Sequence, residues 1–64
     1  MLNISIGTGN AVFRDDEDRF DPYYGGFEIQ RILTEIAIQI QNGNESGYCM
    51  DANGNKVGKW TLDV

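Results

Sequence analysis

The best candidates for a functional site in this sequence are the carboxylates between positions 14 and 22. Five of them fall within seven residues: Asp15, Asp16, Glu17, Asp18 and Asp21. Three interpretations are open, namely a solvated loop, a patch that binds a basic protein surface, and a calcium site. A calcium loop needs a glycine at its bend, and Arg19 and Phe20 stand there instead. The pattern therefore favours the first two interpretations, and we expect no metal site.

Catalysis is not expected from this composition. The chain has no histidine and one cysteine, Cys49, so a thiol nucleophile would lack its usual base. Cys49 is predicted to be a small, half-buried strand residue. A chain of 64 residues has little room for a pocket of ~300 Å³. We therefore expect no enzymatic activity, no catalytic residues and no cofactor.

The charge balance limits the classes of partner. Ten acidic residues against five basic ones give a net charge of −5. Such a chain is repelled by nucleic-acid phosphates and by anionic membranes. No apolar run approaches the ~18 residues that would span a bilayer, and the first residues do not resemble a signal peptide. We expect a cytoplasmic protein that binds neither nucleic acid directly nor a membrane, and its lone thiol suits that compartment.

The clearest structural signal is an amphipathic helix over residues 26–41. Its apolar residues recur at spacings of three and four, which places them on one side of the helix. They are Ile29, Ile32, Leu33, Ile36, Ala37 and Ile40. Gly26 is the predicted N-cap, and Gly43 can end the helix in a left-handed conformation.

The segment before the helix contains one predicted strand. Leu2, Ile4 and Ile6 alternate with polar residues or glycine, as in a strand with one buried face. The apolar segment 11–13 either extends that strand past a bulge or lies across the sheet edge. Residues 14–25 are predicted to form a long loop.

The C-terminal segment reads as a β-hairpin with two competing registers. A two-residue turn would put Cys49 on the same face as Trp60. A three-residue loop with Gly54 left-handed would put Tyr48 and Met50 on that face instead. The second register buries the larger apolar set, and we therefore predict it.

Together these elements predict an α+β fold with β-α-β-β order. One amphipathic helix packs on a three-stranded, mostly antiparallel sheet of strand order 2-3-1, and a parallel neighbour for the first strand is the alternative. Trp60, on the central strand, is expected in the core. The chain is one small domain, with a strand at 2–7, the acidic-aromatic loop at 14–25, the helix at 26–41 and the hairpin at 47–64.

Two sets of side chains could contact a partner. Aromatic residues beside the acids are typical of protein-binding patches, although they could instead fold down over the core edge. The predicted partner-binding residues are Asp15, Asp16, Glu17, Asp18, Phe20, Asp21, Tyr23 and Tyr24. The second set lies opposite the apolar stripe of the helix and could support self-association as a homodimer. It consists of Phe27, Thr34 and Ile38.

One set of residues, spread over the helix and both ends of the chain, follows a known pattern. It consists of Ile4, Ile6, Asn10-Ala11-Val12-Phe13, Glu28, Arg31-Ile32-Leu33, Ile36-Ala37, Gly43, Gly47, Asp51, Asn53-Gly54-Asn55, Val57-Gly58 and Trp60. In these residues the chain resembles a family of short proteins encoded by tailed bacteriophages and prophages, and it departs from that family in the long stretch 14–24 and at Ile38. The resemblance implies a phage origin and transfers no functional residue.

Phage origin implies that the chain acts in the host cytoplasm. Small acidic phage proteins often bind one host protein and block it. The expected function is therefore a non-enzymatic accessory protein that blocks a host protein with a basic surface, such as a component of a CRISPR-Cas or restriction complex. The alternative is a small self-associating structural or regulatory protein that uses the outer helix face and the sheet edge.

Overall fold

The computed structural model describes residues 1–63 of the chain. A first strand leads through a short 3-10 turn and an ordered loop to the helix, and two further strands follow. The elements are β1 (Leu2–Ile6), the 3-10 turn (Ala11–Phe13), α1 (Tyr24–Gln41), β2 (Ser46–Met50) and β3 (Lys56–Leu62).

The three strands form one antiparallel sheet in the order β1-β3-β2. This order confirms the predicted α+β architecture, in which one helix packs on the sheet and β3 is central. Trp60 on β3 lies opposite Ile4 of β1 and opposite Gly47 of β2. Residues directly opposite each other share a sheet face, and this face carries the helix because the indole of Trp60 donates a hydrogen bond to Gln39 of α1.

The hairpin turn has the three-residue form that the sequence predicts. The Asp51 N–H donates to the carbonyl of Asn55 at 2.8 Å, and Gly54 adopts a left-handed φ of 83°. The buried Asp51 carboxylate accepts hydrogen bonds from the backbone of Asn53 and Asn55 and from the side chain of Asn10. Burial alone would raise the pKa of Asp51, but these donors outweigh it and hold the pKa below its ordinary value.

The prediction that Tyr48 and Met50 of β2 lie on the Trp60 face of the sheet is wrong. Tyr48 and Met50 are exposed on the outer face, and Cys49 is fully buried on the Trp60 face. A bulge between Cys49 and Met50 shifts the register, so that Cys49 lies opposite Gly58. One extra residue in a strand moves every side chain beyond it to the other face of the sheet. The turn was therefore predicted correctly, but the faces of the β2 side chains were not.

The helix begins at Tyr24, two residues before the predicted start, and Gly26 is not its N-cap. The carboxylate of Asp21 accepts the backbone N–H groups of Tyr23 at 2.9 Å and Tyr24 at 3.2 Å. Pro22 lies in the turn just before the helix, where its missing N–H leaves no hydrogen bond unmade. An Asp-Pro pair therefore starts the helix, because it satisfies the free N–H groups that a glycine cannot.

The core lies between the helix and the sheet and is small. Its buried members are Phe13, Ile32, Ile36, Cys49 and Trp60. The segment 11–13 was expected to extend the first strand past a bulge or to lie across the sheet edge; the strand extension is wrong, because the segment forms a 3-10 turn that packs against the helix. The i→i+3 hydrogen bond from Phe13 N–H to the Asn10 carbonyl folds this segment into a turn that directs the ring inward.

The predicted buried stripe of the helix is only partly correct. Ile32 and Ile36 are buried and Ile29 and Ile40 are half-buried, whereas Leu33 and Ala37 are exposed. The helix therefore turns a narrower face to the sheet than the periodicity suggested, and its flank at Leu33 stays uncovered.

Candidate functional site: an acidic turn beside exposed aromatic rings

Residues 14–20 form an ordered turn that one carboxylate organises. The side chain of Asp15 accepts the backbone N–H groups of Glu17 at 2.9 Å and Arg19 at 3.0 Å. Arg14 and Phe20 form a β-bridge that closes the turn. Asp18 adopts a left-handed φ of 59°, which aspartate tolerates better than most residues. Asp15 therefore shapes the loop rather than presenting a free carboxylate.

The pKa of Asp15 reflects this role. The hydrogen bond from the Arg19 backbone is the largest cause of a lowered pKa, and further donors from Glu17 and the Arg19 side chain act in the same direction against desolvation. The Arg19 guanidinium also lies 3.3 Å from Asp15 and 3.0 Å from Glu17. The turn is thus less negative than its acid count implies, since two arginines accompany four acids within residues 14–19.

Of the five predicted acidic binding residues, three present their carboxylates to solvent. Asp16, Glu17 and Asp18 are exposed, whereas Asp15 holds the turn and Asp21 caps the helix. Both of these carboxylates have structural partners that account for their positions.

The aromatic residues form a cluster at the start of the helix. The rings of Tyr23 and Tyr24 meet edge to face at 4.9 Å, and those of Tyr23 and Phe27 meet edge to face at 5.1 Å. These rings are 64%, 67% and 57% exposed for Tyr23, Tyr24 and Phe27, so they touch one another while facing solvent. Tyrosine rings that fold over the core edge, the other sequence interpretation, do not fit these exposures.

Phe20 is placed differently from the cluster. Its ring packs against the helix backbone at Gly25, where a Cβ atom would stand only 2.7 Å from Cε2 of the ring. Gly25 is buried and its neighbour Phe20 is only partly exposed. Phe20 therefore joins the acidic turn to the helix and contributes part of its ring to the surface.

We call the six exposed side chains of this region the acidic-aromatic surface. They are Asp16, Glu17, Asp18, Tyr23, Tyr24 and Phe27. Two of them, Tyr24 and Phe27, line a shallow groove of about 610 Å³ between the 3-10 turn and the helix. Its lining residues are Ala11, Val12, Arg14, Tyr24, Phe27, Glu28 and Arg31.

The charged residues of the helix form one ion-pair network, and two of them, Glu28 and Arg31, line this groove. The Arg31 guanidinium bonds to Glu28, to Glu35 at 2.9 Å and to the carbonyl of Met50 at 2.8 Å. The hydrogen bond to Glu28 is the main cause of a raised pKa at Arg31. This network ties the helix to β2 and leaves the groove without a free charge from α1.

The outer helix face carries the second predicted set. Phe27, Thr34 and Ile38 are all exposed, and the Thr34 hydroxyl donates to the Gln30 carbonyl at 2.8 Å. Phe27, predicted only for this set, also belongs to the acidic-aromatic surface, because its ring contacts Tyr23. The sequence signal for that contact is the i, i+4 spacing, which is readable once the helix is known to start after Asp21.

Within residues 1–63, no group of three histidine, cysteine, aspartate or glutamate side chains is arranged to hold a metal ion. In the same residues, no helix combines the length and apolar character needed to cross a membrane. Comparisons of the chain with protein-family models, curated proteins and solved structures returned no match.

Proposed function

We propose that this chain is a non-enzymatic binding protein that attaches to a basic surface of a host protein through its acidic-aromatic surface. One observation carries the proposal: Tyr23, Tyr24 and Phe27 expose most of their rings at the start of the helix, and the turn just before it exposes the carboxylates of Asp16, Glu17 and Asp18. Monomeric domains rarely leave clustered aromatic rings in solvent unless a partner covers them.

The two parts of the surface have different physical roles. The carboxylates of Asp16, Glu17 and Asp18 attract a basic surface and raise the rate of encounter. The aromatic rings supply rigid contact area that loses little conformational entropy on binding, so they hold the complex once formed. Asp15, Phe20 and Asp21 support the surface from within, through the turn and the helix start.

The resemblance to phage proteins suggests the biological setting. In that setting the chain acts in the host cytoplasm and blocks a host protein whose basic surface normally holds nucleic acid. A component of a CRISPR-Cas or restriction complex has such a surface. The chain itself, with a net charge of −5, is not expected to bind nucleic acid directly.

Capture from a host lysate tests the proposal. The acidic arm is D16N/E17Q/D18N, and its matched control is E35Q/E45Q/D63N, which removes the same charge from other parts of the surface. The aromatic arm is Y23A/Y24A, in which alanine preserves the helix. We expect the acidic and aromatic arms to lose at least ~30-fold in affinity for the captured protein, the scale of a hot-spot truncation, while the control retains it.

The same design can refute the proposal. If the control loses as much capture as D16N/E17Q/D18N, only net charge matters and the surface is not the site. If Y23A/Y24A binds as the unchanged chain does, the exposed rings have no part in binding.

A second candidate function is self-association through the outer helix face. Its support is that Phe27, Thr34 and Ile38 are exposed on one face, and that Arg31, the charged residue of the same face, is paired with Glu28 and Glu35. In sedimentation experiments, Ile38→Lys should abolish any dimer that uses this face. An unchanged dimer would exclude the outer helix face.

A further inference from the structure

The edge strand β1 leaves part of the apolar layer open to solvent. Leu2 and Ile4 lie opposite Leu62 and Trp60, so their side chains share the face on which the helix packs. Trp60 is fully buried, yet Leu2 is 44% and Ile4 is 38% exposed. These side chains face the core layer without being covered by it.

The helix does not cover β1 because its contacts draw it toward β2. Arg31 bonds to the Met50 carbonyl at the end of β2, and the Gln39 amide oxygen lies against Gly47 and the Trp60 indole. Leu33 stands two residues after Arg31, about 200° around the helix, which places it on the flank nearer β1. Leu33 is 42% exposed.

The free edge of β1 carries none of the features that prevent sheet edges from pairing. The strand Leu2–Ile6 contains no charged residue, no proline and no bulge, and among residues 1–63 it pairs with β3 on one side only. The register shift of the sheet lies between β2 and β3. A regular, neutral edge with apolar side chains is suited to accept another strand.

The pattern of β1 makes a second copy of the same strand a matching occupant. In an antiparallel pair with its two-fold axis at Ile4, Ile4 faces Ile4 of the second copy and Leu2 faces Ile6. Asn3 then faces Ser5 on the opposite side of the sheet. Apolar residues thus meet apolar residues on the helix side, and polar residues meet on the solvent side.

We propose that two copies of this chain pair through β1 to form a six-stranded antiparallel sheet with both helices on one face. In the dimer, Leu2, Ile4 and Leu33 of each copy close the open side of the layer. Such an interface is isologous and limits assembly to two copies.

Charge does not oppose this arrangement. The acidic turn adjoins the 3-10 turn, whose groove is lined by Arg31, and therefore lies on the helix flank away from β1. At physiological ionic strength, charges further apart than ~8 Å are largely screened. The proposal also stands independently of host-protein binding, because it uses none of the acidic-aromatic surface.

Sedimentation from about 5 µM to about 1 mM gives the first test, over the range that covers weak and moderate dimers. We expect a monomer–dimer equilibrium that Ile4→Lys and Leu33→Lys each weaken by at least tenfold. Asn3→Lys, on the solvent face of the same strand, is the matched control and should retain the dimer. Circular dichroism of each variant checks the fold, and Leu33→Lys keeps the test decisive if Ile4→Lys unfolds.

Disulfide trapping tests the register. Opposite residues of antiparallel strands have Cα atoms about 4.5–5.5 Å apart, within disulfide range, so Ile4→Cys should cross-link across the two-fold axis under mild oxidation. Asn3→Cys should not cross-link, because the two copies of residue 3 would lie about 8 Å apart. The unchanged chain, whose Cys49 is buried, is the background control.

Three results would overturn the proposal. The first is a strict monomer at the highest concentration. The second is a dimer that Ile38→Lys abolishes and Leu33→Lys leaves intact. The third is that Asn3→Cys cross-links more readily than Ile4→Cys. The second result would assign the interface to the outer helix face.

Discussion

Replacing Phe13 with alanine is expected to unfold a large part of the protein at 25 °C. Phe13 is 0% exposed and belongs to the same buried cluster as Trp60 and Ile32. Truncating a buried phenylalanine to alanine costs ~3–5 kcal/mol, through lost transfer free energy and the cavity left behind. A core in a chain of this size supplies a net stability of only ~3–5 kcal/mol. The two quantities are equal within their range, so folded and unfolded chains should be present in comparable amounts.

A leucine at the same position is the matched control. It keeps an apolar side chain of similar volume, and such replacements usually cost less than ~1.5 kcal/mol. Phe13→Leu should therefore remain more than about 90% folded at 25 °C.

Urea titrations followed by far-ultraviolet circular dichroism and by the fluorescence of Trp60, the single tryptophan, measure both variants. The backbone hydrogen bonds of the turn, including the one that the Phe13 carbonyl accepts from the Asp21 N–H, do not depend on the side chain. If Phe13→Ala lowers the free energy of unfolding by less than ~1 kcal/mol, the ring does not occupy the core.

Three further predictions concern backbone and carboxylate positions. Asp21→Ala should lower the free energy of unfolding by about 1 kcal/mol, because the helix loses its cap. Asp21→Asn keeps the acceptor oxygen and should change the free energy of unfolding little. Equal losses for the two variants in urea titrations would contradict the capping role of Asp21. Gly58→Ala should detach β1, since its Cβ would stand 1.9 Å from the Ser5 carbonyl oxygen, whereas Gly26→Ala meets nothing within 4 Å and should stabilise the helix. Hydrogen exchange of the β1 amides measures this, and full protection in Gly58→Ala would contradict it. Because the pKa of Asp51 is lowered from 3.8 by folding, its stabilisation is fully present above that value and is lost as the pH falls through the folded-state pKa. Asp51→Asn should therefore be less stable than the unchanged chain at pH 7, and the difference in urea midpoint should shrink below pH 3.8; a gap that is constant with pH would contradict the linkage.

Much of the candidate site could be read from residue types, but not the role of each residue. The sequence showed that acids and aromatic rings lie together before the helix. It did not show that Asp15 and Asp21 would be used by their own backbone neighbours. The competition between a solvated carboxylate and one that accepts local N–H groups depends on loop geometry, which only the folded chain supplies.

The same division holds for the surfaces of the fold. Leu2 and Ile4 alternate as a buried face should, and the alternation correctly predicted the strand. Their exposure follows from the position of the helix, which the Arg31 contact to β2 sets. Helical periodicity gives the direction of an apolar face and not the lateral position at which it docks.

The sequence alone determined the element order, the helix, the three-residue hairpin turn and the central place of the strand that carries Trp60. These depend on local spacing, turn chemistry and the need to bury the largest side chain. The tertiary structure decided which face Cys49 occupies, where Phe13 packs and which apolar residues stay uncovered. Those outcomes depend on one bulge and on the position of the single helix over the three strands. In so small a core, a register shift of one residue or a sideways shift of the helix changes which side chains are exposed to solvent.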